Sequence, residues 1–140
     1  MGMGKDVWSE LDSLLNKHDM AGVASMYASD VVLVDPTGRY EGRDAIQAYL
    51  EAVDKAIPDG RNETFRLIEE GDTVVAEMTY RGTHSGPFTM PEVTELPPSG
   101  NAVELHGVAI VTVGDGKIVS ERDYFDLADM MSQLGLMPGT

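Results

Sequence analysis

Cysteine is absent from the 140-residue chain. Disulfides, thiolate nucleophiles and Cys-ligated zinc are therefore excluded. Positive charge is scarce: Lys and Arg number 10 against 24 Asp and Glu, a formal net charge of −14. The cations occur singly between Lys5 and Arg122, so the basic patch of a nucleic-acid binder is missing. The same acidity opposes attachment to anionic lipid surfaces, and no apolar run approaches the roughly 20 residues that span a bilayer. The opening MGMGKDVWSELDSLL lacks the basic start and unbroken apolar stretch of a secretory signal, so a cytoplasmic protein is expected. The three histidines, at 18, 84 and 106, show no HExxH or other local metal spacing. The Gly-rich phosphate-cradling motifs are missing as well. No metal and no cofactor is implied, and any chemistry falls to carboxylates, histidines, tyrosines and shape.

What is present reads as one domain over 1–140, with no repeat or linker. Trp8, Leu11 and Leu15 lie at helical spacing within about 5–17. A short second helix follows Asp19, a candidate N-cap. VVLV at 31–34 reads as a strand ended by Asp-Pro-Thr-Gly, and Ile46, Leu50 and Val53 mark another helix that Pro58 stops. From Glu63 the periodicity changes to β-branched runs, with turns at Glu70-Gly71-Asp72 and Gly114-Asp115-Gly116. GPFTMPEVTELPPSG, at 86–100, carries four prolines and is expected to be a lid loop. A last helix takes in Leu127, Met130, Met131 and Leu134. Helices first and an antiparallel meander after give an α+β fold.

The ordered set MYASDVVLVDPTG, Y-EGRDAI, RGTHSG, PPSG and GDGKIVSERDYFDL resembles the nuclear transport factor 2-like (cystatin-like) superfamily. It is most similar in kind to the SnoaL-like polyketide cyclases, with ketosteroid isomerases and limonene epoxide hydrolases as relatives. The resemblance implies a cone of curved antiparallel sheet wrapped by N-terminal helices, enclosing an apolar pocket. It implies Asp123 as a catalytic aspartate, as in the cyclases and epoxide hydrolases, and Asp35 as a base in an isomerase-like Asp-Pro-x-Gly motif. The isomerase's oxyanion donors fall at Leu11 and Ala109, and the epoxide hydrolase's Arg and second Asp at Met78 and Tyr80, so each subfamily loses part of its machinery here.

Strand parity puts Glu121, Asp123 and Phe125 on one face, so if Phe125 faces the core, Asp123 does too. Asp123 is then a general acid/base with a raised pKa, or a carboxylate that caps a loop or pairs with Arg81. Asp35 is a base at the pocket mouth, or a turn residue bonding its own backbone. His84 aids the site, or closes a turn; His106 points outward, and His18 serves the dipole of the first helix. Tyr80, Met78, Phe125, Trp8, Met26, Tyr49 and Met90 are candidate pocket walls, with core packing as the alternative. The expected ligand is neutral or cationic, apolar, and polycyclic or terpenoid-sized. The expected reaction is cyclisation or isomerisation of a carbonyl compound, with epoxide hydrolysis or non-catalytic binding as alternatives. A homodimer through the convex sheet face, where Val75, Val108 and Ile110 project, completes the expectation.

Overall fold

The computed structural model describes residues 3–89 and 95–136; Met90 and part of the expected lid lie outside them. The helical stripe Val7, Trp8 and Leu11 forms the buried side of α1 (Met3–Asn16). That stripe lies along β3 (Arg61–Glu70): Trp8 Nε1 donates to Thr64 Oγ1 at 3.0 Å, and Asn16 brackets the Asn62 backbone at 2.7 and 2.8 Å. Asp19 caps α2 (Met20–Ser25), accepting from Gly22 N at 2.9 Å. His18 pairs with Asp54 of α3 (Arg43–Ala56) at 2.6 Å. It therefore ties two helices together, a partner beyond the α1 dipole expected for it.

The remaining strands are β1 (Tyr27–Asp35), β2 (Gly38–Glu41), β4 (Thr73–Thr83), β5 (Ala102–Gly114) and β6 (Lys117–Phe125). They form one six-stranded sheet in the order β2-β1-β6-β5-β4-β3. The sheet is mixed and not wholly antiparallel, because β6 returns beside β1 in parallel, with Leu33 opposite Glu121. Strands that meet across some ninety residues leave no local sign of their direction. Register shifts at Tyr27/Val32, Thr64/Arg66 and Thr112/Val113 mark bulges, which bend a sheet and sharpen its twist.

One face of the sheet carries Val74, Ala76, Ala109, Val111 and Ile118 and packs under the helices as a large apolar cluster. A smaller cluster gathers Ala56, Ile57, Phe88, Val103, Met130 and Leu134 at the other end. Helix α4 (Leu127–Gln133) closes that end, capped by Asp126 and clamped to β5 through Gln133 and the Glu104 backbone at 2.7 and 2.8 Å. The loop after β4 starts where Ser85 and Gly86 both donate to the Ala56 carbonyl. A side chain at Gly86 would collide with the Lys55 carbonyl, so only glycine lets the loop cross α3 there. Phe88 and Leu96 then pair backbone to backbone at 2.7 and 2.8 Å, which narrows the loop.

Candidate functional site

A cavity of about 210 Å³ opens at the seam between the two clusters. Its wall includes Leu15, Tyr49, Leu50, Val53, Ile57, Met78, Tyr80, Phe88, Leu105, Asp123, Phe125 and Met130. Alternation along β4 and β6 brings Met78, Tyr80, Asp123 and Phe125 to the same surface, and β5 supplies bare Gly107 opposite Phe125 and small Ala109 opposite Asp123. Gly107, which has no side chain, leaves space in the wall at that point. Asp123 is the one acidic or basic side chain in the wall among the described residues.

Burial raises the Asp123 pKa well above the ordinary carboxylate range, and the nearby charges of Glu121 and Asp35 push the same way. Its Oδ1 is buried with no hydrogen-bond partner among the described residues. Arg81 is no partner for it: that guanidinium lies on the outer face with Glu104 at 2.8 Å and Glu63 at 3.7 Å. Arg43 donates to the Tyr27 carbonyl at 2.8 and 3.0 Å.

Glu121, which the sequence-based list of site residues omits, lies behind Asp123 and is 4% exposed. Its pKa is raised by burial, while hydrogen bonds from Asp123 and Tyr27 pull it back down. Tyr27 Oη donates to Glu121 Oε1 at 2.6 Å, and burial beside these acids raises the Tyr27 pKa well above that of a free phenol. The signal for Glu121 was the parity that placed Asp123 inside, since residues two apart on a strand share a face.

Asp35 is buried and stands behind the wall, not at the pocket mouth, with both carboxyl oxygens engaged. Oδ1 accepts from Thr37 N at 2.7 Å and Thr37 Oγ1 at 2.6 Å, which is the turn expected of Asp-Pro-Thr-Gly. Oδ2 accepts from Tyr49 Oη at 2.6 Å. Tyr49 stacks on Tyr40, with ring centroids 4.3 Å apart, and Thr37 and Tyr49 are the members of this network that reach the cavity. Asp35 thus fixes two hydroxyl groups at the wall.

Trp8 and His84 are placed elsewhere. Trp8, at 3% exposure, belongs to the large cluster under α1. His84 is buried at the base of the 86–100 loop, where Nδ1 accepts from Ser99 N at 3.2 Å and meets Ser99 Oγ at 3.0 Å. Burial lowers its pKa, so the ring is neutral and its Nε2 has no partner among the described residues. It holds the two ends of the loop together and does not line the cavity. His106 lies outward, bonded to Thr79 Oγ1 at 3.1 Å. Among the described residues no group of three or more His, Asp or Glu has metal-binding geometry, and no helix is long and apolar enough to cross a membrane.

A family model described as SnoaL-like polyketide cyclase matches residues 5–134. No curated protein matches the sequence. Among solved structures, AclR, a proposed hydroxylase from Streptomyces galilaeus, has a TM-score of 0.81 at 25% identity over 100% of this chain and 85% of its own. A proposed SnoaL-like polyketide cyclase from Jannaschia has a TM-score of 0.83 at 20% identity, covering 97% and 94%. A protein of ketosteroid isomerase-like fold from Catenulispora acidiphila, solved with trimethylamine, has a TM-score of 0.76 at 20% identity, covering 94% and 93%.

Proposed function

Because the chain belongs to the SnoaL-like polyketide cyclase family, whose model spans residues 5–134, we propose that it is an enzyme using Asp123 as general acid/base on a carbonyl compound. The observation that carries this is the buried, raised-pKa Asp123, with one oxygen unpartnered, as the lone carboxyl group in the wall of an apolar cavity among the described residues. An aspartate in water, with a pKa of about 3.9, is a poor base near neutrality. Loss of solvation makes this one able to take and return a proton there. Cyclisation or isomerisation needs a proton removed α to a carbonyl and returned elsewhere. Tyr80 in the wall is the phenol suited to donate to the substrate oxygen, because the Thr37 and Tyr49 hydroxyls already give their protons to Asp35.

The volume of about 210 Å³ falls below the roughly 300–1,000 Å³ of drug-sized sites. It suits a one- or two-ring or terpenoid-sized body, and a larger polycycle would extend past Phe88. Among the described residues the wall offers no cation to a phosphorylated or carboxylated ligand, which favours an apolar substrate that is uncharged or cationic. Epoxide hydrolysis is the weaker alternative, because Met78 and Tyr80 occupy the wall where an epoxide hydrolase's Arg and second Asp are implied. We also propose a cytoplasmic homodimer through the outer sheet face, where Ile68, Val75 and Ile110 stand in one cross-strand row.

The test is turnover of small aromatic polyketide-type ketones and esters by the wild type and Asp123→Asn. The variant keeps the side-chain shape and loses the proton acceptor, so turnover should fall about 10²–10⁴-fold while binding of the same compounds persists. Equal turnover by the two proteins would remove Asp123 from the role. Binding without turnover in either would leave a ligand-binding module.

A further inference from the structure

Strand β6 sets two carboxyl groups on one face. Glu121 and Asp123 stand opposite Val111 and Ala109 of β5, so both point toward the helices. Same-face neighbours on a strand are about 7 Å apart along the chain, within mutual reach of their carboxyl groups. Glu121 is buried, and each carboxyl raises the cost of ionising the other when both sit on one enclosed face, so one proton held between them relieves the repulsion.

The surroundings say that one proton stays and where it rests. The titratable groups facing the pair are Tyr27 and Asp35 from β1, with Tyr49 of α3 bound to Asp35 directly and Tyr40 of β2 through Thr37. β5 presents Ala109 and Val111, and α1 presents Trp8 and Leu11 to the same core. Among the described residues no cation acts on either carboxyl. Two negative charges in that enclosure would repel each other with no compensation. Tyr27 donates to Glu121 at 2.6 Å and steadies its ionised form, whereas Asp123 Oδ1 has no such donor.

We propose that Glu121 and Asp123 form a proton-sharing dyad, in which Glu121, fixed by Tyr27, is a positioning residue that sets where the proton rests. At rest the pair holds one proton, on Asp123 and bonded to Glu121. When a substrate proton arrives at the cavity side of Asp123, the shared proton moves to Glu121, and the pair holds two. Return of a proton to the product reverses the movement and restores the single shared proton. The dyad deepens the role proposed for Asp123, but its test needs no substrate.

Infrared spectra of protein carrying carboxyl-¹³C aspartate, or carboxyl-¹³C glutamate, read the proton directly. The wild type at neutral pH should show one protonated-carboxyl stretch that shifts with the aspartate label. Glu121→Gln should lower the pH midpoint of that band by about one unit or more, because the like charge is gone. Tyr27→Phe removes the donor to Glu121, and the band should then follow the glutamate label. Each variant is checked for a native far-ultraviolet circular dichroism spectrum, and either one suffices if the other fails to fold. Absence of a protonated band in the wild type, or a band indifferent to whichever variants fold, would overturn the dyad. A responsive band in a protein that turns over none of the test substrates leaves the dyad standing and sinks the enzymatic role.

Discussion

Asp123 is kept where its charge is unwelcome, and the cost shows in the dependence of stability on pH. An acid whose pKa rises on folding holds its proton in the native state after the unfolded chain has lost it. Between about pH 4, where free carboxylates titrate, and the raised pKa values of Asp123 and Glu121, the native state therefore binds more protons. Their contribution to stability falls as pH rises through that window. His84 acts in the opposite sense, because its lowered pKa makes the native state bind fewer protons below the usual imidazole range. The difference between wild type and Asp123→Asn isolates the acid pair. The variant should be more stable by about 1 kcal/mol at pH 8, roughly 4 °C in Tm, with the advantage shrinking toward pH 4. Thermal melts of both proteins across that range check it, and an advantage that grows on acidification would refute it. Strand alternation made Asp123 and Phe125 legible as one surface, whereas Met78 and Tyr80 joined it only through the resemblance to epoxide hydrolases. For Trp8 core and pocket wall both stayed open, because helical spacing says that a residue is buried without saying over which part of the sheet. Loop closure by His84 was one of two open readings, and its partner Ser99, across a Pro-rich loop, is what the sequence did not name.

Most helices could be read closely from spacing and caps, with Asp19 and Pro58 marking ends that the structure keeps. Strand β1 begins at Tyr27, earlier than its Val31–Val34 core suggests, because Ala28, Ser29 and Asp30 are weak strand formers held by a neighbouring strand. The Ile118 amide donates to the Met26 carbonyl at 2.9 Å, a contact no local pattern reveals. The turn between α3 and β3 carries a constraint of the same non-local kind. A Cβ at Gly60 would run into Tyr80 Oη, so glycine makes the space into which the phenol of β4 reaches. Gly60→Ala should displace Tyr80 from the cavity wall, cost about 1–3 kcal/mol by overpacking, and weaken binding of an apolar fluorescent dye about tenfold. Denaturant melts and dye titration check both numbers. Unchanged dye affinity would mean that Tyr80 does not shape the cavity.

With a formal charge of −14, any self-association works against electrostatic repulsion between copies. The outer sheet face nonetheless leaves Ile68 50%, Ile110 37% and Tyr124 54% exposed, more apolar surface than a polar sheet face would show. If that face forms the proposed dimer, screening must tighten it. Sedimentation should give a dimer whose dissociation constant falls as salt rises from about 0.01 to 0.15 M, as the Debye length shrinks from roughly 30 to 8 Å. Ile110→Lys should shift the chain toward monomer. A monomer at all concentrations and salts would discard the interface. The fold class was visible in the change of periodicity near residue 63, whereas an oligomeric face depends on which apolar residues remain uncovered after every strand has paired.

The cavity lies on the boundary between two apolar clusters of unequal size. The larger spans α1, α2, α3 and most of the sheet; the smaller is held by the end of α3, the loop carrying Phe88, the start of β5 and α4. Local opening draws on the region with fewest buried contacts. The smaller cluster can therefore loosen while the larger one stays folded, giving a ligand entry by transient melting of one end with no rigid hinge. Asp123, anchored on β6 within the larger body, would keep its position throughout, so the proposed proton acceptor waits in place while the enclosure around it breathes.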